Sequence, residues 1–302
     1  MEAGRMEGRR AVLAGAAAAA AVVVLFSAFT LVSRLGTLDA LRAWDLAALR
    51  FGVGGVLLLP VLMRRGLAGL SLGRAARLSF FGGLGFALLA YAGFARAPAA
   101  HGAVFLHGML PAFGTLAGAL WLGERPSARR LIGAGLILAG VAALALDALG
   151  AATGTVLLGD ACLVGASACW SVYGVLIRRY KVDAVAAAAI VTPLSMAVYL
   201  PVYFLALDPQ LGQVAVGTLA AQAVFQGVLI AIASLLAYTL AVSLLGATET
   251  AVATAAVPCL TTVAAIPLLG EMPGPLTWAG VAIASLGMVA ALSRGKPKGD
   301  GR

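Results

Sequence analysis

Charged residues are scarce in this sequence. Only 11% of the 302 residues are Asp, Glu, Lys or Arg, whereas 62% are hydrophobic, and the mean hydropathy is +1.02. Because about a quarter of the residues in a water-soluble domain are charged, this composition excludes a soluble enzyme or a soluble binding domain. The sequence therefore predicts a polytopic membrane protein.

Cysteine and histidine are also scarce, with three Cys and two His. Cys162, Cys169 and Cys259 lie inside apolar stretches with neither CxxC spacing nor His partners, so we expect no disulfide framework and no zinc site. The sequence contains no Walker loop, HExxH, GxSxG or paired acidic cluster. We predict no metal, no cofactor and no catalytic residues, and an ATP-driven pump would need a partner subunit.

The positive charge suits a membrane surface. The net charge is +9 and the pI is near 10.1, values that would suggest nucleic acid as the partner of a soluble protein. Here the 21 Lys and Arg residues lie mostly at the ends of apolar stretches, where they favour contact with anionic lipid. The predicted partners are membrane lipids and a small-molecule substrate, with no nucleic acid.

Ten apolar stretches are each long enough to cross a bilayer as a helix, which takes about 20 residues. The first follows three Arg residues but lacks a clear cleavage site, so we predict a true first helix and not a signal peptide. The predicted spans are 11–32, 46–63, 78–95, 99–122, 131–146, 156–177, 184–205, 220–244, 250–269 and 276–292.

The basic residues divide unequally between the two predicted faces. With ten spans and a cytoplasmic N-terminus, seventeen Lys and Arg fall inside and four (Arg34, Arg42, Arg50 and Arg96) fall outside or near the outer face. Positively charged loops favour the cytoplasm, so both termini are predicted to be cytoplasmic.

The sequence also repeats itself at a shift of 147 residues. Between positions 88 and 143 there are fifteen identities with the shifted sequence, where a composition this rich in Ala, Leu and Gly gives roughly six by chance. The scarce residue types carry this match. Tyr91 aligns with Tyr238, and Glu124 aligns with Glu271.

Five helices per repeat is an odd number, so the second repeat must enter the membrane from the opposite side. The predicted fold is an all-α membrane protein with two inverted five-helix repeats, residues 1–150 and 151–302. Inverted repeats are the architecture of secondary transporters, in which a central site opens alternately to each side. A duplication kept only for stability is the alternative.

A block of the form PxxxTxAxxxxLGExP closes the fourth helix, and its copy ends in LGEMP, with Met272 where the first block has Arg125. With an aromatic–Ser pair in helices one and six, the chain resembles the EamA-like ten-helix branch of the drug/metabolite transporter superfamily. The resemblance implies a transporter of small metabolites in the bacterial inner membrane, often an exporter of amino acids or related compounds. Many members have Trp where this chain has Phe26.

Aromatic residues and Ser recur at matching positions of the two repeats, and the two histidines of the fourth predicted helix align with Thr248 and Thr254. We predict that these residues line a substrate cavity or its gates. Packing or lipid contact is the alternative for each of them. The set is Phe26, Ser27, Phe29, Tyr91, His101, His107, Trp170, Ser171, Tyr173, Tyr238 and Thr254.

Four ionisable side chains have competing interpretations. Arg50, about one turn into the second predicted helix, either snorkels to the interface or contacts an anionic substrate group. His107, near mid-bilayer, either packs against neighbours or substrate or relays a proton. Glu124 and Glu271 precede Pro at helix junctions, where a structural or gate-hinge role through the following helix N-terminus is favoured over proton carriage.

The inverted topology places Phe26 and Tyr91 in the outer half of the membrane and Trp170 and Tyr238 in the inner half. We therefore predict an outer gate and an inner gate around a cavity formed by helices one, three, four, six, eight and nine. A proton or another ion is a possible coupling partner, and the protein is expected to be a monomer or a homodimer. The competing functions are a membrane-embedded lipid-modifying enzyme and a non-transporting accessory subunit.

Overall fold

The computed structural model describes residues 2–39, 41–150 and 154–293, and these residues form helices and connecting turns without strands. Ten of the helices are long and apolar enough to cross a membrane. Their bounds are α1 Glu2–Asp39, α2 Ala43–Arg65, α3 Leu72–Phe94, α4 Ala99–Trp121, α5 Ala128–Gly150, α6 Gly154–Tyr180, α7 Ala184–Ala206, α8 Val216–Leu245, α9 247–269 and α10 Pro275–Leu292.

The predicted number of spans is confirmed, but several predicted helices are too short. α1 continues through Arg34 to Asp39, and α2 begins at Ala43, three residues before the predicted start. The apolar stretches mark only the hydrocarbon core, whereas the helices continue into the interface because their backbone hydrogen bonds do not depend on apolar side chains.

Successive helices run antiparallel, so the chain returns to the same side after each pair. We call the side that holds the N-terminus of α1 and the C-terminus of α10 the terminal face, and the other side the opposite face. In the predicted orientation, the terminal face is cytoplasmic. Glu124 then lies at the terminal face and Glu271 lies at the opposite face.

The helix contacts follow a pseudo-twofold axis between the repeats. α2 packs on α7 and α5 packs on α10, while α1 packs on α8 and α9 just as α6 packs on α3 and α4. The chain thus forms two inverted five-helix repeats whose first helices are exchanged. One bundle contains α3, α4 and α6, and the other contains α1, α8 and α9.

Glycines bring α5 and α10 into close backbone contact. A Cβ atom at Gly133 would lie 2.4 Å from the Ala291 nitrogen, and one at Gly140 would lie 2.6 Å from the Gly280 carbonyl oxygen. Small residues permit such close approach in membrane helices, where packing contacts drive association. This interface lies on the pseudo-twofold axis and joins the two repeats.

Three of the ten helices contain π-helical segments, at Phe80–Leu84 in α3, Gly102–Gly108 in α4 and Phe225–Ala233 in α8. Such segments often mark functional sites because they widen the helix and redirect side chains. The segments in α3 and α8 occupy equivalent positions of the two repeats, as Phe80 shifted by 147 is Gly227.

Candidate functional site

Arg50 lies in the interior of the bundle. It is the eighth residue of α2, about 10 Å from the start of that helix at 1.5 Å per residue, and only 8% of it is exposed. Its guanidinium carbon lies 5.6 Å from the ring centroids of both Phe29 and Phe86. Arg50 therefore lies about two turns into α2, deeper than the predicted one turn, and its side chain is enclosed by the protein.

The Arg50 guanidinium has no ion-pair partner among the described residues: no carboxylate oxygen lies within 4.0 Å of it. Its buried Nη1 atom also lacks a hydrogen-bond partner. The phenol groups of Tyr91 and Tyr173 are close enough to interact with the charge electrostatically. A buried cation beside aromatic rings and hydroxyl groups can bind an anionic group that enters the site.

Trp170 and Tyr173 of α6 continue this aromatic cluster. The Trp170 ring lies 4.7 Å from Phe86 and 5.1 Å from Tyr173, as measured between ring centroids. The predicted spacing of three residues therefore does place Trp170 and Tyr173 on one helix face. The equivalent pair in α1 separates, because Phe29 contacts Phe86, Tyr91 and Phe94, whereas Phe26 stacks on His107.

Several buried polar atoms near the bundle interior have no hydrogen-bond partner in the structure. They include the Ser171 hydroxyl and Nε2 of His107. The Ser27 hydroxyl, in contrast, donates to the Val257 carbonyl over 3.5 Å. Unpaired polar groups in a buried site are costly, so those of Ser171 and His107 are available to a bound molecule.

Tyr91 is fully buried and joins a polar network that was not predicted. Its hydroxyl donates to Gln226 Oε1 over 2.9 Å, and Gln226 Nε2 donates to the Ser33 hydroxyl over 3.1 Å and to Gln222 Oε1 over 3.1 Å. The network ties α3 to α1 and α8 in the half of the membrane near the opposite face. Two amides within an apolar stretch are a signal for such a network.

The symmetry-related Tyr238 has a different environment. It is 36% exposed, and its hydroxyl makes no hydrogen bond with the described residues. Position 226, whose amide binds Tyr91, corresponds to Ser79 in the first repeat. Thr254, another predicted cavity residue, donates to the Ala251 carbonyl of its own helix over 2.6 Å.

His101 forms a buried pair with Asp160. Nδ1 of His101 lies 2.9 Å from Oδ1 and 3.1 Å from Oδ2 of Asp160, and the two residues are 3% and 4% exposed. The pair joins the first turn of α4 to α6 near the opposite face. Asp160 was missed in the sequence, although it lies as deep in its apolar stretch as Arg50 does in its own.

The two LGE blocks end their helices in the same way. Gly123 and Gly270 adopt left-handed conformations, with φ of 67° and 68°, which glycine accepts without steric cost. The following Glu nitrogen then donates back into the helix, to Gly118 in one repeat and to Ala265 in the other. The glycine thus determines where each carboxylate is presented.

Glu271 connects the two bundles at the opposite face. It accepts from Arg34 Nε over 2.9 Å and from the Ala99 backbone nitrogen over 2.6 Å, while Arg34 Nη1 donates to the Phe94 carbonyl over 3.0 Å. Arg34 and Glu271 belong to the α1–α8–α9 bundle, whereas Phe94 and Ala99 flank the α3–α4 turn. We call this set of four residues the opposite-face latch.

Glu124 forms ion pairs with two arginines at the terminal face. It accepts from Arg178 Nη1 over 2.9 Å and lies 3.6 Å from Arg130. The position equivalent to Ala99 is Gly246, and its nitrogen donates to the Val242 carbonyl of α8 instead. Glu124 thus contacts the helix after it through Arg130 of α5, whereas the partners given above for Glu271 are Arg34 of α1 and Ala99 of α4.

The comparisons with known proteins identify the family. The sequence model of the EamA-like transporter family matches residues 13–146 and 157–293, once in each repeat. The chain belongs to the EamA-like transporter family. No curated protein matches it. Thirteen chains among the solved structures match. One of them, a crystal structure, has a TM-score of 0.60 and 22% identity over 94% of this chain and 96% of its own, which shows a shared fold.

Membership of the EamA-like family identifies the chain as a multi-pass membrane protein of the drug/metabolite transporter superfamily, whose members transport small molecules. The family points to a transporter and not to an enzyme. The described residues also contain no group of three or more His, Cys, Asp or Glu that could hold a metal ion. The predicted boundary near residue 150 stays a prediction.

Proposed function

We propose that this EamA-like protein is a secondary transporter that exports amino acids or related carboxylate metabolites across the bacterial inner membrane by alternating access. Both termini lie in the cytoplasm, and the repeats are residues 1–150 and 151–302. The protein works as a monomer or a homodimer and requires no cofactor.

The observation that carries this proposal is the difference between the two LGE sites. The same Glu–Arg pair occurs at both faces, but only Glu271 and Arg34 also hold the backbone of the other bundle. Rocking the bundles about the pseudo-twofold axis would release the opposite-face latch and bring Gly246 to Glu124. Alternating access requires two states, each closed at a different face. The repeated Glu–Arg pair would make the same contacts at whichever face is closed.

The gates follow from the same comparison. Tyr91 and Phe26 close the outer side in the proposed orientation, because Tyr91 is buried and bonded across to α8. Tyr238 and Trp170 form the inner gate, and the exposed Tyr238 side chain suits a state in which the inner side is open. The remaining cavity residues of the proposal are Ser27, Phe29, His101, His107, Ser171, Tyr173 and Thr254.

Arg50 supports a substrate with a carboxylate group. A buried guanidinium without a carboxylate partner can form a bidentate pair with a substrate carboxylate. The surrounding rings of Phe29, Phe86 and Trp170 suit an amphipathic or zwitterionic molecule. A polyphosphate would call for several basic residues near this one.

The test is uptake and efflux in proteoliposomes against a panel of amino acids and other metabolites, with and without a pH gradient. We expect flux of at least one carboxylate compound, and Arg50→Gln should reduce it by at least tenfold. Arg50→Lys keeps the charge but loses the planar fork, so it should retain partial activity. Arg96→Gln serves as the matched control, because the Arg96 guanidinium donates to the backbone of its own helix.

Two outcomes would overturn the proposal. No flux of any compound would favour a membrane-embedded lipid-modifying enzyme or an accessory subunit, and best transport of phosphorylated sugars would contradict the role of Arg50. Reporter fusions after residue 150 and at the C-terminus test the boundary and the orientation. A periplasmic signal at the C-terminus would contradict the cytoplasmic location of both termini.

A further inference from the structure

The His101–Asp160 pair has no counterpart in the other repeat. The shift of 147 places Thr248 opposite His101, and the shift of 144 that aligns α1 with α6 places Ala16 opposite Asp160. A feature needed only to hold the fold would be expected at both symmetric positions. The pair therefore distinguishes the opposite face chemically from the terminal face.

The pair lies directly beneath the α3–α4 turn. Asp160 follows Gly159, where a Cβ atom would lie 2.9 Å from the Arg96 side chain and 3.0 Å from Ala97. His101 follows Ala99, whose nitrogen binds Glu271. The two residues thus pack against the same α3–α4 turn to which Arg34 and Glu271 of the opposite-face latch bind.

The other charged groups around the pair have partners of their own. Arg34 and Glu271 bind each other and the α3–α4 turn, Arg96 Nη1 donates to the Ala92 carbonyl over 2.8 Å, and Asp147 near the end of α5 accepts from Thr277. Further titratable groups on these helices include Asp39 on α1, Tyr91 on α3, His107 on α4 and Cys162 on α6. His101 is the partner that the structure gives to the Asp160 carboxylate.

The charge of the pair depends on one proton. With a proton on the imidazole, the pair is a neutral ion pair with a hydrogen bond from Nδ1 to the carboxylate. Loss of that proton leaves one net negative charge on the pair. His101 is only 3% exposed and Asp160 only 4% exposed, and burying an uncompensated charge is costly.

We propose that His101 and Asp160 form a proton-binding site that couples opening of the opposite face to release of one proton. The protonated pair supports the α3–α4 turn in its latched position. Deprotonation favours hydration of the site, which requires that the turn move away from α6. This inference rests on the proposed alternating access and supplies it with a proton-dependent step at one face only.

The test measures accessibility at the opposite face as a function of pH. The three native cysteines are replaced, and Ser33→Cys, at a buried position beside Gln226, is labelled with a water-soluble maleimide in nanodiscs without substrate. The same cysteine in the double variant His101→Asn/Asp160→Asn corrects for the thiolate fraction. We expect the ratio of the two labelling rates to rise with pH, with a limiting slope of about tenfold per pH unit for a single proton.

Two further variants test whether the pH dependence comes from the His101–Asp160 pair. Asp160→Asn keeps an oxygen that accepts from His101 Nδ1 but removes the negative charge, so its labelling should rise with pH only as the thiolate fraction does, and it can replace the double variant if that variant fails to fold. His107→Asn should keep the increase, since His107 has no acidic partner among the described residues. Either a pH-independent ratio or a dependence abolished by His107→Asn alone would overturn the proposal. Because no flux is measured, the result is independent of whether a transported substrate has been found.

Discussion

The two faces of this protein carry the same Glu–Arg pair in different surroundings. At the opposite face, the Arg34 and Glu271 side chains are 14% and 19% exposed and also bind backbone atoms of the α3–α4 turn. At the terminal face, the Arg178 and Glu124 side chains are 53% and 37% exposed, and the α8–α9 turn is bonded to its own helix. A repeated sequence thus forms a closed contact at one face and an open one at the other.

The LGE block therefore does not determine by itself whether its face of the protein is closed or open. Its glycine and carboxylate fix where each helix ends and what is presented there, and the arrangement of the bundles decides whether the second set of hydrogen bonds forms. The free energy of those bonds, roughly 1.5–3 kcal/mol for each bond to a charged group, is of the size that switches a two-state equilibrium.

We expect the largest effect at the α5–α10 interface, which joins the two repeats. Gly133→Leu would push a side chain into the backbone of α10, where even a Cβ atom would lie 2.4 Å from Ala291. We expect loss of folded protein, measured by fluorescence-detected size-exclusion chromatography. Gly135→Leu on the same helix is the matched control, because no atom lies within 4 Å of a Cβ there. Equal yields of the two variants would contradict this packing.

The second effect tests the latch itself. Glu271→Ala removes the acceptor for both Arg34 and Ala99, so labelling of the Ser33→Cys reporter at the opposite face should rise about tenfold or more. Glu124→Ala at the equivalent position should leave this labelling within about twofold. If both variants raised it equally, the latch would not distinguish the faces.

The sequence predicted the parts of this comparison that depend on repetition. Scarce residues recurring at a fixed shift revealed the duplication, and the odd number of helices per repeat implied its inversion. The pairing of Glu124 with Arg178, and of Glu271 with Arg34 and Ala99, could not be predicted, because these partners come from helices distant in the chain. Arg50 looked shallow because the apolar stretch begins after the helix does, and Asp160 and Gln226 have no equivalent in the other repeat to draw attention to them.

A smaller effect should separate Tyr91 from Tyr238. Tyr91→Phe leaves the fully buried Gln226 oxygen without its donor, which costs about 1–2 kcal/mol. The melting temperature in detergent should fall by a few degrees, using about 2–4 °C per kcal/mol for a chain of 150–250 residues. Tyr238→Phe should change it by less than about 1 °C, since that hydroxyl is not bonded to the described residues. Equal destabilisation would show that the two tyrosines have the same environment.

The smallest effect concerns the shape of the cation. Arg34 uses Nε for Glu271 and Nη1 for the Phe94 carbonyl, so it bridges two acceptors that belong to different bundles. Lys presents a single ammonium group and cannot reproduce that planar fork, so Arg34→Lys should raise labelling of the Ser33→Cys reporter by about threefold. Arg178 uses only Nη1, for Glu124, and Arg178→Lys should therefore change labelling at neither face. A terminal-face reporter at Ile177→Cys, the position equivalent to Ser33 at the shift of 144, completes the comparison. If Arg178→Lys altered the terminal-face labelling as much as Arg34→Lys altered the other, the terminal-face pair would also be holding a second bundle, and the asymmetry between the faces would have to be abandoned.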